Sequence, residues 1–188
     1  METNIIFALI GVGGTLLGTI LGWFLNSLSG HGKLNVFVTS WEETFQYNNS
    51  GYMTPSSSRE QTEHYWYELK LDLYNSSSGM KIMRDIKIEF LNGKNVSVVQ
   101  IPYDDATKRF NQHFYTHFDV EAINISPKSV IQYKLCNGYH KEELDNIWKS
   151  DKVVLSFVDE KNKKKRVFMA TLKYDEHFAI KNGEPAQQ

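Results

Sequence analysis

Cysteine is almost missing from this sequence: Cys136 is the only one among 188 residues. A single thiol excludes an internal disulfide and any cysteine-based metal cluster, and it suits a reducing compartment. An excess of charge of one sign is also lacking, since 21 Lys and Arg stand against 22 Asp and Glu. Without a net field nothing recruits nucleic acid or an acidic partner over a distance, so electrostatic recognition has to be local. No serine sits in a Gly-x-Ser-x-Gly elbow, and no glycine-rich phosphate loop lies outside the N-terminal apolar run. The expectation is a non-enzymatic protein with no cofactor and no metal.

Charge is also absent from one long stretch. Between Glu2 and Lys33 there is no acidic residue, lysine or arginine, and the core of this stretch, Ile5–Leu28, is apolar. As a helix it measures roughly 36 Å, enough to cross a hydrocarbon layer about 30 Å thick with modest tilt. A cleaved signal peptide would have a basic start and a shorter apolar core, so the sequence favours an uncleaved single-pass anchor over residues 1–30. Lys33 on the C-terminal flank, with no basic residue on the N-terminal one, orients the rest of the chain toward the cytoplasm at the cell membrane. Within the run, Gly14, Gly18 and Gly22 recur every fourth residue and share one face. Such a face lets a second helix approach closely, so it is the candidate self-association surface of a homo-oligomer. Trp23 is placed to mark the headgroup level, and Gly30 and Gly32 are expected to form a short hinge.

The remaining residues, 31–178, have the length of one domain, with 179–188 expected as a loose polar tail. Period-two alternation dominates. Lys33–Trp41 reads as a first strand, and Glu42–Gln61 dissolves into a polar loop with at most a short strand at Thr44–Tyr47. His64–Asn75 alternates most clearly, with Tyr67, Leu69, Leu71 and Leu73 on one face. Ile86, Ile88 and Phe90 repeat the pattern with Asp85, Lys87 and Glu89 outward, and Asn92-Gly93 signals a tight turn into Val96–Ile101. Pro102–Gln112 reads as a polar loop, Phe114–Ile125 and Val130–Cys136 as strands, and Lys141–Lys149 as a short helix. Val153–Val158 and Arg166–Tyr174 close the domain as a hairpin with a charged turn. Seven or eight strands at intervals of about ten residues predict an N-terminal transmembrane α-helix followed by an all-β domain: an antiparallel β-sandwich, a Greek key of immunoglobulin-like or C2-like type.

Candidate chemistry is sparse. His113 and His117 have the spacing of a helical metal pair, but on a strand they lie about 13 Å apart, too far to share an ion. Asp72, Asp104, Asp105 and Asp159 do not form the repeated Asp-x-Asp loops of a calcium site. Sequons at Asn48, Asn75, Asn95 and Asn124 matter only in a secretory pathway. Aromatic residues Tyr65, Trp66, Phe110, Phe114 and Tyr115 lack an accompanying basic stripe, so core packing explains them better than base stacking. The local charge feature is the turn Lys161, Lys163, Lys164, Lys165 and Arg166, a candidate contact for anionic lipid or an ordinary soluble turn.

These features together predict a membrane-anchored interaction or sensing module, partnered by the lipid bilayer through Ile5–Leu28 and by a protein or small molecule of unknown identity, with no nucleic acid. The alternative is a membrane effector whose glycine-faced helices assemble and perturb the bilayer when the domain binds a ligand. The polar loops Glu42–Gln61 and Pro102–Gln112 and any exposed sheet edge are the candidate recognition elements.

Overall fold

Two periodicities divide the chain, a helical one at the N-terminus and a strand one through the domain. The computed structural model describes residues 2–29, 32–111 and 114–181, with side chains described at 11–27, 32–111 and 115–178. In chain order the elements are α1 (Glu2–Ser29), β1 (Leu34–Asn49), β2 (Tyr52–Pro55), β3 (His64–Asn75), β4 (Lys81–Asn92), β5 (Asn95–Gln100), β6 (Tyr103–Asn111) and β7 (Phe114–Asp119). They continue as β8 (Ile123–Ile125), β9 (Val130–His140), a 3₁₀ turn (Lys141–Glu143), α2 (Leu144–Trp148), β10 (Lys152–Val158), β11 (Lys164–Thr171) and α3 (Tyr174–Lys181).

The strands form two antiparallel sheets, one ordered β2-β1-β3-β9-β6-β7 and the other β11-β10-β4-β5, with β8 paired to β4. This is the expected all-β antiparallel sandwich. Between the sheets lie Tyr65, Tyr67, Leu69, Leu71 and Leu73 of β3, Ile86, Ile88 and Phe90 of β4, and Val153, Leu155 and Phe157 of β10, all buried. Alternate positions of one strand deliver them to one side, as a pleated backbone requires.

Three predicted loops or tails are structured. β1 does not stop at Trp41 but runs on to Asn49, and a tight turn at Ser50 and Gly51, both at positive φ, returns it as β2. Asn48 Oδ1 accepts the Gly51 N–H at 2.8 Å, so the Asn-Ser-Gly cluster is hairpin chemistry and not open loop. Pro102–Gln112 is mostly strand β6. Tyr174 leaves the last strand to begin α3, which carries Tyr174 and Phe178 into the core one helical turn apart. Residues 182–188, the remainder of the expected tail, lie outside the described residues.

Glu89 corrects the outward face predicted for β4. Its side chain is 2% exposed, with Lys164 Nζ donating to Oε1 at 2.8 Å and an Arg166 nitrogen 2.7 Å from Oε2. Burial pushes this carboxyl up, but the Lys164 and Ser156 hydrogen bonds and the charge of Arg166 outweigh it, leaving the group below its ordinary value.

The membrane crossing expected of Ile5–Leu28 is not supported by the described residues, among which no helix is long and apolar enough to cross a membrane. Five glycines and two threonines dilute Gly11–Ser27. The helix itself is present, and every described side chain on it is exposed. Thr15 and Thr19 return their hydroxyl protons to the carbonyls of Gly11 and Thr15 at 2.7 and 2.9 Å, and Gly14, Gly18 and Gly22 have open space before them. The predicted hinge is a docked junction on its domain side: the Lys33 and Ser76 backbones bond at 3.1 Å, and a Cβ on Gly32 would overlap the Ser76 backbone.

Candidate functional site

On its outer face the six-stranded sheet carries a cleft of about 500 Å³ lined by Trp66, Glu68, Tyr103, Asp105, Lys108, Tyr115, Thr116 and His117. Its floor follows from register. Leu69 pairs with Leu135 in the core, so their neighbours Glu68 and Cys136, also paired, face away from it. Cys136 is nevertheless fully buried, because β6 and β7 fold side chains over it.

Local hydrogen bonding at the start of β6 delivers those side chains. Asp104 Oδ1 accepts the Ala106 N–H at 2.9 Å and the Asp104 carbonyl accepts the Thr107 hydroxyl at 2.6 Å. The register with β7 shifts here, between Asp104 and Arg109, and this irregularity turns Asp105 toward β9. Asp105 Oδ1 then lies 3.8 Å from both His117 Nε2 and Cys136 Sγ, while Oδ2 is 3.3 Å from Lys134 Nζ. Lys134 is also held by Glu68 at 2.8 Å.

The imidazole of His117 is fixed by aromatic neighbours. It stacks on Tyr103 at 5.7 Å with an interplanar angle of 11° and tilts against Trp66 at 5.9 Å. Trp66 reaches this position over Gly138, its partner on β9, where a Cβ would come within 2.8 Å of the indole and 2.6 Å of the Tyr65 carbonyl oxygen. Burial holds His117 below its ordinary value despite the Asp105 carboxylate, which pulls the other way. Burial, joined by the charges of Asp105 and Glu68, pushes the Cys136 thiol up to about 12. The thiol is therefore protonated and inert as a free nucleophile at neutral pH.

Strand direction places a second set of features at one end of the sandwich. Leu34 pairs with Asn75 and Tyr74 with Val130, so the start of β9 lies at the α1 end. β6 begins opposite Cys136 and runs antiparallel to β9, which carries its last described residues toward that end. Phe110 and Tyr115 near the end of the β6–β7 hairpin are more than half exposed, with Lys108 4.5 Å above the Tyr115 ring; Phe118, also exposed and with Arg109 5.5 Å above it, lies farther from that end, opposite Asp104. The β10–β11 turn is there too: Lys161, Lys163, Lys165 and Arg166 share a surface depression with Gly32 and Lys33.

The predicted site residues divide accordingly. Of the five basic turn residues, Lys164 and Arg166 are engaged by Glu89 and Lys165 lies 3.7 Å from Asp159, whereas Lys161 and Lys163 make no ion pair among the described residues. Phe110 and Tyr115 are surface groups and not core, Tyr65 is core, and the side chain of Phe114 lies outside the described residues. His113 also lies outside them. His117 finds its neighbours on other strands, which spacing along a single strand cannot reveal. The sequon residue Asn75 is buried, with Nδ2 donating to the carbonyls of Gly79, Ile125 and Ser126 at 2.8–3.0 Å.

Comparison with known proteins bears on the domain. The family model described as the YopI Ig-like domain matches residues 32–170. The chain is similar to the SPbeta prophage-derived uncharacterized protein YopI of Bacillus subtilis (strain 168), 26% identical over 162 residues that cover 85% of this chain and 92% of that protein. Among solved structures it resembles an uncharacterized β-sandwich protein from Clostridium difficile 630, 13% identical, covering 75% of this chain and 91% of that one at a TM-score of 0.32.

Proposed function

The chain belongs to the YopI Ig-like domain family, and we propose that it is a membrane-tethered, non-enzymatic interaction module. In this reading α1 anchors the sandwich to the cytoplasmic face of the cell membrane and the outer sheet face meets a partner. The observation that carries the reading is the gathering at one end of the sandwich of three features: the apolar helix, the unpaired Lys161 and Lys163, and the exposed aromatic hairpin. An apolar helix with every described side chain bare needs a cover, and lipid supplies it along the charge-free run Ile5–Leu28. Lysines free of ion pairs suit anionic headgroups, and Tyr and Phe beside Lys and Arg suit the interfacial layer.

The cleft opens on the outer sheet face beside that end, Lys108 and Tyr115 belonging to both, with aromatic and charged groups available to a ligand or peptide. The test is flotation of the full-length chain with vesicles of neutral or anionic lipid. Flotation with both, stronger with anionic vesicles, supports the reading; a chain left at the bottom of the gradient in both cases refutes it.

A further inference from the structure

Three potential ligand atoms of different chemistry converge beneath the cleft. Asp105, His117 and Cys136 each offer one, and these lie within 4.8 Å of one another. The His117 side chain is only 8% exposed, and among the described residues its Nε2 has no hydrogen-bond partner, although it points at the Asp105 carboxylate 3.8 Å away. A buried imidazole nitrogen without a hydrogen-bond partner is costly to leave so. A metal ion between the three groups would remove that cost.

We propose that Asp105, His117 and Cys136 form a three-ligand site for a divalent zinc ion, with its fourth position open to the cleft. One nitrogen, one oxygen and one sulfur ligand match the borderline softness of zinc better than that of calcium or magnesium, which take oxygen. Zinc bonds of about 2.0–2.3 Å with tetrahedral angles set ligands about 3.5 Å apart, so the two 3.8 Å separations to Asp105, and the third between His117 and Cys136 within 4.8 Å, close by side-chain rotations. Charge balances as well: a carboxylate and a thiolate neutralise the ion, the thiol releasing its proton to solvent on binding.

The surroundings are those of a metal ligand set. Only Asp105 Oδ1 faces His117 and Cys136, while Lys134 holds Oδ2 and is itself held by Glu68. That outer pair fixes which oxygen is presented, and the Tyr103 stack fixes the plane of the imidazole. The site stands independently of the membrane reading, since it lies within the sandwich domain.

The experiment uses the reduced, metal-stripped full-length chain in detergent, titrated with Co²⁺ and then with Zn²⁺. The expected result is one cobalt per chain, a thiolate-to-cobalt charge-transfer band, and its loss when zinc displaces cobalt. Cys136→Ser removes the band, and His117→Gln weakens uptake by more than about tenfold, the lower bound for losing even an outer partner. Lys134→Met weakens it by about tenfold. Metal uptake that produces no thiolate band, or no uptake at all by the folded wild-type chain, overturns the site. So does uptake that survives in Cys136→Ser but is lost in His64→Gln, because the exposed pair His64 and His140, 3.0 Å apart, would then be the binder. Circular dichroism confirms that each variant is folded, and the wild-type band decides the matter if Cys136→Ser is not.

Discussion

The two ends of the sandwich are built on opposite principles. The end far from α1 is plugged: Phe45 of β1 meets Trp148 of α2 and Tyr174 and Phe178 of α3 at ring distances of 5.2–5.9 Å. Arg59 covers the plug, lying 5.8 Å from the Trp148 ring and pairing with Asp175 at 2.7 Å. At the α1 end the aromatic residues Phe110 and Tyr115 are exposed, and the β10–β11 turn carries Lys161 and Lys163, which make no ion pair among the described residues. Aromatic area is thus used for stability at one end and left uncovered at the other. In the proposed reading the open end is the one that meets the membrane.

This contrast places the largest effect on stability at the plugged end. Phe45→Ala, at a fully buried ring, is expected to cost about 4 kcal/mol in chemical unfolding. Phe110→Ala at the open end should leave the midpoint within about 0.5 kcal/mol. Gly138→Ala comes next, at about 2 kcal/mol, because its Cβ meets the Tyr65 backbone, which cannot yield as a side chain end would. The same variant displaces Trp66 and is read in the indole fluorescence.

Glu89→Gln is expected to cost about 2 kcal/mol at neutral pH, since it breaks charge-assisted contacts of a buried carboxylate. The folded-state carboxyl titrates below its unfolded value, so its stabilisation is present above the unfolded value and fades as pH falls through the folded one. Unfolding midpoints of wild type and Glu89→Gln should therefore converge in acid and separate toward neutrality. The smallest change belongs to the open end: Lys161→Ala and Lys163→Ala each weaken partition onto anionic vesicles about fivefold and leave the unfolding midpoint unchanged.

What the sequence revealed follows the same division. β3 was legible to the residue, His64–Asn75, because one face is core and the other wet, and the Asn92-Gly93 turn was legible from its dipeptide. β6 was hidden because it lies near a sheet edge with little apolar alternation to display. The second half of β1 was hidden behind Glu42, Glu43 and Gln46, with Phe45 its only fully buried side chain. α3 was hidden because Tyr174 ends the alternation that begins at Arg166, and the expected tail at 179–188 takes in the last residues of the helix, so Tyr174 and Phe178 show no helical repeat of their own.

The cleft was less legible than the fold. Along the sequence Asp105 and His117 have only Asp104 and His113 as apparent companions, and neither pairing makes a metal site. Their true companions come from β6, β7 and β9 through an irregular register, and no one-dimensional spacing encodes that. Trp66 over Gly138 is equally a product of strand pairing.

Alkaline carbonate extraction of membranes from cells making the full-length chain tests the central claim most directly. The protein is expected to stay in the membrane pellet, and Leu17→Arg with Ile20→Arg, both at exposed positions of α1, to release it. Wild-type protein recovered wholly in the carbonate supernatant would contradict the account.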